Sequence, residues 1–503
     1  MANPEKEIIK SINKNNTKLT VADASSITGL GIEESKSVLE ILFEKYRCNL
    51  KVTENGDLIY DFGSKLFLRT KKTFKERMAE IKAYLGGLLM IVFKILITVV
   101  LLIYFVIFTV ILILIIIAAS SKNDSDSDSS SRRSGSGSSF GNFMITQMFF
   151  SELRSIFYWQ TITGNTVYSK DRYGYRHKVY QPRSTVMSKN KKSKVASVYD
   201  FVFGPPRVEI HPLENEKEAV SYITQNKGVI TTNELMGLAS WRKPEAENFF
   251  SKLLLNFDGE GKISENGTLF GDFYTLIRKA GSQKNFPITW YWDEYEPEYE
   301  ITGNSAGTNA AIIFFALFNL VGGLLFLSTV ISPEAASGIL YNVNNSDNFL
   351  VQSILGTLFS NPQQFAFVLG WFPAFFFSSF LAYPLFRSFI IKKKNGKIHL
   401  ENIRKRLLKE IYLSNSDKLN LEELTSLANA RGENEEKLNK EEVQKMMDDL
   451  IYDLEGEMIV DDQAQILYDF SRFKIDLREI ESLRKNRRPD NSLGDTMIES
   501  NNE

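Results

Sequence analysis

Hydrophobic and polar positions along the chain fall into two alternating kinds of stretch. In the first, Ile8, Ile9 and Ile12, then Val38, Leu39, Leu42 and Phe43, recur at helical spacing, with Thr20 to Thr28 as a short helix between them. Lys51 to Phe62 follows, centred on Asn55-Gly56, a pair that predicts a two-residue hairpin turn. The same order of three helices and a hairpin is predicted from Glu214 to Phe273 and from near Leu400 to Phe470. Its helices are marked by Ala219, Val220 and Ile223, by Phe249, Phe250, Leu253 and Leu254, and by Val443, Met446, Met447, Leu450 and Ile451. Stretches of the second kind are apolar throughout. Leu85 to Ala119 is broken only by Lys94, and Ala310 to Ile331 and Phe365 to Phe386 are candidate spans. About 20 apolar residues cross a bilayer, so Leu350 to Phe359 is too short to cross alone.

The three hairpins are versions of one text. KVTENGDLIYDF (Lys51 to Phe62), KISENGTLFGDF (Lys262 to Phe273) and IVDDQAQILYDF (Ile459 to Phe470) align without a gap and end in Asp61-Phe62, Asp272-Phe273 and Asp469-Phe470. Each has an acidic residue at its fourth place: Glu54, Glu265 and Asp462. Helix, helix, helix, hairpin resembles a winged-helix domain with the repeated text as its wing, and self-similarity over whole modules outweighs any short motif. The predicted fold class is mixed: an α-helical membrane core carrying three small α+β winged-helix-like soluble modules, at 1–63, 205–280 and 400–483. Between them fall a basic juxtamembrane helix (64–84), an apolar membrane segment (85–119) and a disordered Ser/Asp linker (120–139). An interfacial helix with a basic segment (140–204), two transmembrane helices with an external loop (309–387) and a disordered tail (484–503) complete the expectation.

Charge orients this plan. Lys65 to Lys82 carries seven basic residues, Lys170 to Lys194 carries nine, and Arg387 to Lys409 is strongly basic, whereas Ser332 to Phe349 has no Lys or Arg. Basic flanks stay cytoplasmic, so all three modules are expected on that side of the cell (inner) membrane in a multi-pass protein. Leu85 to Ala119 must then cross twice as a hairpin of two short helices. The alternative is one long tilted helix, with the second module outside.

Composition removes several activities. Over 503 residues the formal net charge is −1, so no global field points to nucleic acid. Glu33 to Arg47 carries four acidic and three basic residues, and Lys440 to Glu455 carries six and two. Such third helices repel phosphate, so no nucleic-acid partner is expected. Protein contact suits the wings better, with Leu58 and Tyr60, and Leu467 and Tyr468, as their apolar component. The partners expected are membrane lipid, unidentified proteins and a second copy of the chain. Cys48 is the single cysteine and His177, His211 and His399 are the histidines. The chain therefore shows no disulfide framework, no catalytic motif and no cofactor-binding or metal site. Trp290 to Glu300 reads as a solvated acidic strip, and Lys94 as a lysine snorkelling to the interface.

Ser197-Val198-Tyr199-Asp200-Phe201-Val202-Phe203-Gly204, followed by Pro205-Pro206, is similar to a segment of a poorly characterised family of multi-pass membrane proteins of bacteria and plastids. That family also has an apolar block, a Ser/Asp-rich linker and a helix-hairpin module, so the resemblance covers about Leu85 to Phe273. Some plant members carry an iron–sulfur-biogenesis label, which one cysteine does not support as a cluster-ligand role. The expected function is a non-enzymatic membrane scaffold or adaptor. A transporter or channel component, and a membrane-tethered transcription regulator, are the alternatives.

Overall fold

In a computed structural model of the chain, the residues described are 4–12, 17–63, 66–69, 74–120, 164–170, 176–182, 193–205, 213–239, 241–280, 288–295, 298–431, 437–460, 465–488 and 492–501. The expected linker after Ser120, the expected interfacial helix at 140–159, Lys71, Lys72, His211, Asp462 and the side chains of the Lys170 to Lys192 run lie outside this set.

The first module comprises α1 (Pro4–Ile12), β1 (Lys18–Leu19), α2 (Val21–Thr28), α3 (Ile32–Lys45), β2 (Asn49–Thr53) and β3 (Leu58–Asp61). Thr20 caps α2 in a reciprocal pair with Asp23, and Gly29 ends it at a φ of 75°. Helix α4 (Phe74–Ser120) follows, and β4 (Gly164–Lys170) and β5 (Arg176–Pro182) pair antiparallel beyond it. Helix α5 (Lys194–Phe203) leads into the second module: α6 (Glu214–Gln225), β6 (Val229–Thr231), α7 (Thr232–Ala239), α8 (Lys243–Asn256), β7 (Glu260–Ile263) and β8 (Leu269–Asp272). Strand β9 (Glu294–Tyr295) runs parallel to β5.

The membrane part continues with α9 (Ala306–Ile331), α10 (Pro333–Asn344), α11 (Gly356–Ser360) and α12 (Pro362–Phe365). Next comes α13 (Phe372–Leu413), which is 42 residues long. Its end is also the first helix of the third module, completed by β10 (Lys418–Asn420), α14 (Leu421–Arg431), α15 (Lys440–Asp453), β11 (Glu457–Val460) and β12 (Ile466–Asp469). Helix α16 (Ser471–Asn486) and strand β13 (Thr496–Asn501) close the chain.

The repeated text takes the same register in each module. Asp61, Asp272 and Asp469 pair with Lys18, Val229 and Lys418 on one side, and with Asn49, Glu260 and Glu457 on the other. The amide of the next residue donates to the carbonyl just before the short strand: Phe62 to Thr17 at 2.9 Å, Phe273 to Gly228 at 2.8 Å and Phe470 to Asp417 at 2.8 Å. The three rings are 3%, 0% and 0% exposed, so each closes its hairpin onto its helices. Three places before each copy sits a small residue: Cys48, Gly259 or Gly456. A Cβ on Gly259 would stand 2.3 Å from the Phe273 ring, and one on Gly456 2.8 Å from Phe470. Cys48 is 4% exposed, and burial pushes its thiol up to about 12.

The turn itself differs from the expectation. In the first module the Gly56 amide bonds to the Thr53 carbonyl and the Thr53 amide to the Asp57 carbonyl, and Gly56 has φ 81°. Gly267 repeats this with φ 91°. Asn55 and Asn266 keep negative φ, whereas a two-residue type I′ turn needs both central residues positive. The loops are therefore the three-residue form with a bulged glycine.

Leu85 to Ala119 was expected to turn back, and instead it lies within a single unbroken helix of 47 residues. The reason is local. Its glycines, Gly86 and Gly87, stand at the near end, it has no proline, and a turn within hydrocarbon would leave backbone groups unpaired. Among the described residues, three helices are long and apolar enough to cross a membrane: Tyr84–Ala119, Ala306–Ile331 and Pro362–Leu413. Ile97 and Leu101 share a cluster with Ile312 and Ala316, and Leu114 shares one with Phe326, so α4 and α9 run parallel. Helix α13 returns antiparallel, with Pro373 against Gly323. Helix α5 packs at the near end, where Phe203 meets Phe93 at 6.0 Å and the Lys94 ammonium lies 4.5 Å from the Tyr199 ring centroid. Ser120 lies at the far end and α5 at the near end, so a single-helix α4 still leaves the first two modules at one end of the bundle. Beyond α9, α10, the turn Val351–Leu355 and α11 cover the far end through Val343, Val351, Leu355 and Phe359.

Substituting the shared aromatic tests the common closure. Phe273→Ala and Phe470→Ala are each expected to cost about 3–5 kcal/mol, read as a shift in urea unfolding of the detergent-solubilised chain. An unchanged midpoint would contradict the closure described.

Candidate interaction site at the membrane stalk

The last of the three membrane-capable helices does not stop at the end of its apolar stretch. Past Arg387, which donates to the Ile301 carbonyl at 2.6 Å, α13 continues through Lys392, Lys393 and Lys394 as a stalk. Ile403, Leu407, Leu408 and Ile411 on that stalk are 0–2% exposed, in one cluster with residues of the second and third modules. These modules were expected to be separate domains, yet they share a core, and helical continuity erases the expected boundary between 387 and 400. Proline did not break the helix: Pro373 sits in its first turn and Pro384 inside it is accommodated within the bundle.

The strip Trp290 to Glu300 was expected in solvent; Glu298 and Glu300 are exposed, but Trp290 to Asp293 and Tyr299 pack on the stalk. Trp290 and Trp292 stack at 4.8 Å, and Trp292 lies 4.8 Å from Tyr412. Gly237 on α7 makes room for all three rings, because a Cβ there would meet them at 3.0 to 3.2 Å. Two of the strip's charged and polar groups face stalk cations. Asp293 accepts from Lys409 at 2.7 Å, and Lys405 lies 4.0 Å from the Tyr291 centroid. Aromatic area, and not solvation, thus fixes this segment.

Helix α16 clamps the second module from the other side. Phe473, Leu477 and Ile480 form its apolar stripe. At its end, Arg484 forms a forked pair with Glu234, which is 4% exposed and also accepts from the Tyr222 hydroxyl at 2.6 Å. Lys227 donates to the Arg484 and Arg487 carbonyls at 2.6 and 2.8 Å, ending the helix. Arg487 pairs with Asp272. Burial alone would raise the Asp272 carboxyl, but hydrogen bonds from Arg487 and Lys262 hold it below the usual range. Arg404 on the stalk pairs with Asp453 at 2.7 Å, both 2% exposed, and Asp453 also accepts from the Lys243 amide.

The first module docks through α2. Asp23, 0% exposed, accepts from the Ala280 amide at 2.9 Å, the Thr20 hydroxyl donates to the Arg278 carbonyl at 3.1 Å, and Lys217 pairs with Glu7 at 2.6 Å. Burial raises the Asp23 carboxyl, outweighing its hydrogen bonds and the charge of Lys279.

Of the apolar wing residues expected on a binding face, Leu58 and Leu467 are half-buried and the two tyrosines are not exposed. Tyr60 and Tyr468 are 3% and 2% exposed and belong to their module cores. Exposed apolar side chains lie instead on the strands paired with β8 and β12 in the second and third hairpins, at Ile263 (73%), Met458 (60%) and Val460 (68%). Among the described residues no cluster of His, Cys, Asp or Glu is arranged to hold a metal ion. Within the bundle Asn319 is 0% exposed. Its amide nitrogen donates to the Leu101 carbonyl at 2.8 Å and its Oδ1 has no protein partner.

No protein-family model matches the chain, and no solved structure matches it. It is similar to an uncharacterised chloroplastic protein of Arabidopsis thaliana, 26% identical over 226 residues, which is 41% of this chain and 38% of that protein. The match thus spans well under half of the plant protein's length.

Two predictions follow from the buried carboxylates. Glu234→Gln leaves the Arg484 guanidinium partly buried without its counter-charge and is expected to cost about 3–5 kcal/mol. Asp449→Asn, opposite the exposed Arg242, is expected to cost about 0–1 kcal/mol. Equal unfolding midpoints for the two variants would contradict this. For Asp23 the folded carboxyl lies above its unfolded value, so its contribution is full below the unfolded value and is lost as pH rises through the folded one. Asp272 acts in the opposite sense, and its contribution is lost as pH falls. Asp23→Asn keeps an acceptor for the Ala280 amide. It is therefore expected to gain thermal stability relative to the unmodified chain as pH rises, which a pH series of melting temperatures checks.

Proposed function

We propose that this protein is a non-enzymatic membrane scaffold in which three winged-helix-like repeats are held at one face of a multi-pass bundle to assemble partner proteins. The observation that carries this reading is the stalk: α13 runs unbroken from the bundle into the core shared by the second and third modules. Such a joint presents module surfaces in a fixed orientation at the membrane. The shared element order and hairpin register support kinship of the three modules with one another and with winged helices. Positive flanks such as Lys392 to Lys394 support a cytoplasmic face, with membrane lipid as a second contact.

Duplex DNA fits this surface poorly. Helix α15 begins with Glu441 and Glu442 and carries Asp448 and Asp449, and α3 begins with Glu33 and Glu34. A tethered transcription regulator would need phosphate-facing cations there. Because the third module shares its core with the second, the test uses the whole chain in lipid nanodiscs. Cross-linking in native membrane is expected to capture proteins on module surfaces, and a DNA-shift assay at physiological salt is expected to show no binding. Tight, steeply salt-dependent DNA binding would overturn the reading.

One observation favours the second reading, a transport component. Asn319 lies mid-way along α9 with an unpartnered buried oxygen, and the neighbouring chain from Ala366 to Trp371 is a π-turn, a form that recurs at functional sites. Solute flux through reconstituted vesicles that Asn319→Leu abolishes would favour transport over scaffolding.

A further inference from the structure

The segment after α16 was expected to be disordered, and it forms a strand. Strand β13 pairs antiparallel with β2, the outer strand of the first module's hairpin, with Glu499 opposite Lys51, Ser500 opposite Leu50 and Asn501 opposite Asn49. The resulting sheet order is β1-β3-β2-β13, whereas the sheets of the second and third modules end at β7 and β11 among the described residues. The added strand is held by its main chain and by polar groups. Met497 and Ile498 are 69% and 62% exposed, so they bury little apolar area. Lys51 pairs with Glu499 at 3.0 Å, and the Asn49 side-chain Nδ2 donates to the same carboxylate. The Glu54 main-chain amide donates to the Asp495 carbonyl at 3.0 Å, and the Asn55 side-chain Nδ2 to the Ser492 carbonyl at 3.1 Å. Gly494, at φ 72°, lets the chain pass against Glu54.

We infer that the outer edge of β2 is a strand-addition site for an extended peptide segment carrying a carboxylate opposite Lys51, and that Thr496–Asn501 occupies this site in cis as a displaceable plug. Three observations point the same way. First, the contact uses ladder hydrogen bonds plus one charge pair, the mode by which extended peptides join an exposed sheet edge. Second, the edge is chemically particular to this module. The places equivalent to Lys51 are Lys262, which turns to Glu260 and Asp272, and Ile459. Third, the plug is tethered by only the few residues after α16, whose end is pinned to the second module through Arg484 and Arg487. A tether this short holds the strand at a local concentration of about millimolar, which offsets a weak intrinsic affinity. Loosening α16 from the second module removes that advantage and opens the edge on the first. The site is read from sheet register alone and does not depend on the scaffold reading.

The test uses the whole chain in nanodiscs, a form ending at Arg488, and a fluorescent peptide of residues 491–503 as probe. The shortened form is expected to bind the peptide at least tenfold more tightly than the whole chain. Lys51→Glu in the shortened form is expected to weaken binding at least tenfold, with recovery by a peptide carrying Glu499→Lys. Ile498→Pro in the whole chain removes a ladder donor without shortening it and is expected to open the edge likewise, which covers a failure of the shortened form to fold. Equal binding to the whole and opened forms, no binding to either opened form, or indifference to Lys51→Glu overturns the proposal. So does a whole chain that is dimeric and becomes monomeric on shortening, because the strand would then be exchanged between two copies and not held in cis.

Discussion

The structure depends on the hydrogen-bonded continuity of α13 between the apolar helix bundle and the modules. A helix that ended at the membrane surface would leave its last carbonyls to be capped and would hand the modules to a flexible joint. Here the backbone bonds run on past Lys392 to Lys394, and the apolar stripe simply changes partner. It faces bundle aromatics through Phe377 and Phe380, then module residues through Ile403, Leu407 and Ile411. Asn395 and Gly396 lower the helical propensity between the two stripes, and there the Asn395 side chain bonds both main-chain groups of Tyr299.

Around this axis the charged groups act in two ways. The buried ones, Arg404 with Asp453 and Arg484 with Glu234, fix which surfaces meet, because misdocking would strand a charge in a dry interface. Exposed pairs such as Lys440 with Glu422 cover the surface and decide little. The two tryptophans of the strap supply the apolar area, and Gly237 supplies the space they need.

Much of this fold was legible in local pattern. The hairpins, their buried Phe62, Phe273 and Phe470, and the three apolar blocks came from spacing and from the repeated text. Properties set by partners distant in sequence were not legible. Trp290 to Glu300 reads as a solvated strip until the stalk cations Lys405 and Lys409 are placed beside it. Tyr60 and Tyr468 read as wing-surface residues, although the pleat turns them inward. Charge placement does not fix how often Leu85 to Ala119 crosses, whereas the lack of Gly or Pro beyond Gly87 favours one helix. The spacing of Phe473, Leu477 and Ile480 is the local sign of a docking helix. No site chemistry was forecast, and the contacts described are those of interfaces.

The central claim is that the stalk welds the second and third modules to the membrane bundle. Pulsed electron-spin distance measurement, with nitroxides at exposed Ser379 and Glu457 on a Cys48→Ser background in nanodiscs, addresses it directly. A rigid stalk gives one narrow distance distribution that broadens when two glycines are inserted after Gly396. A broad or multimodal distribution in the uninterrupted chain would contradict the account.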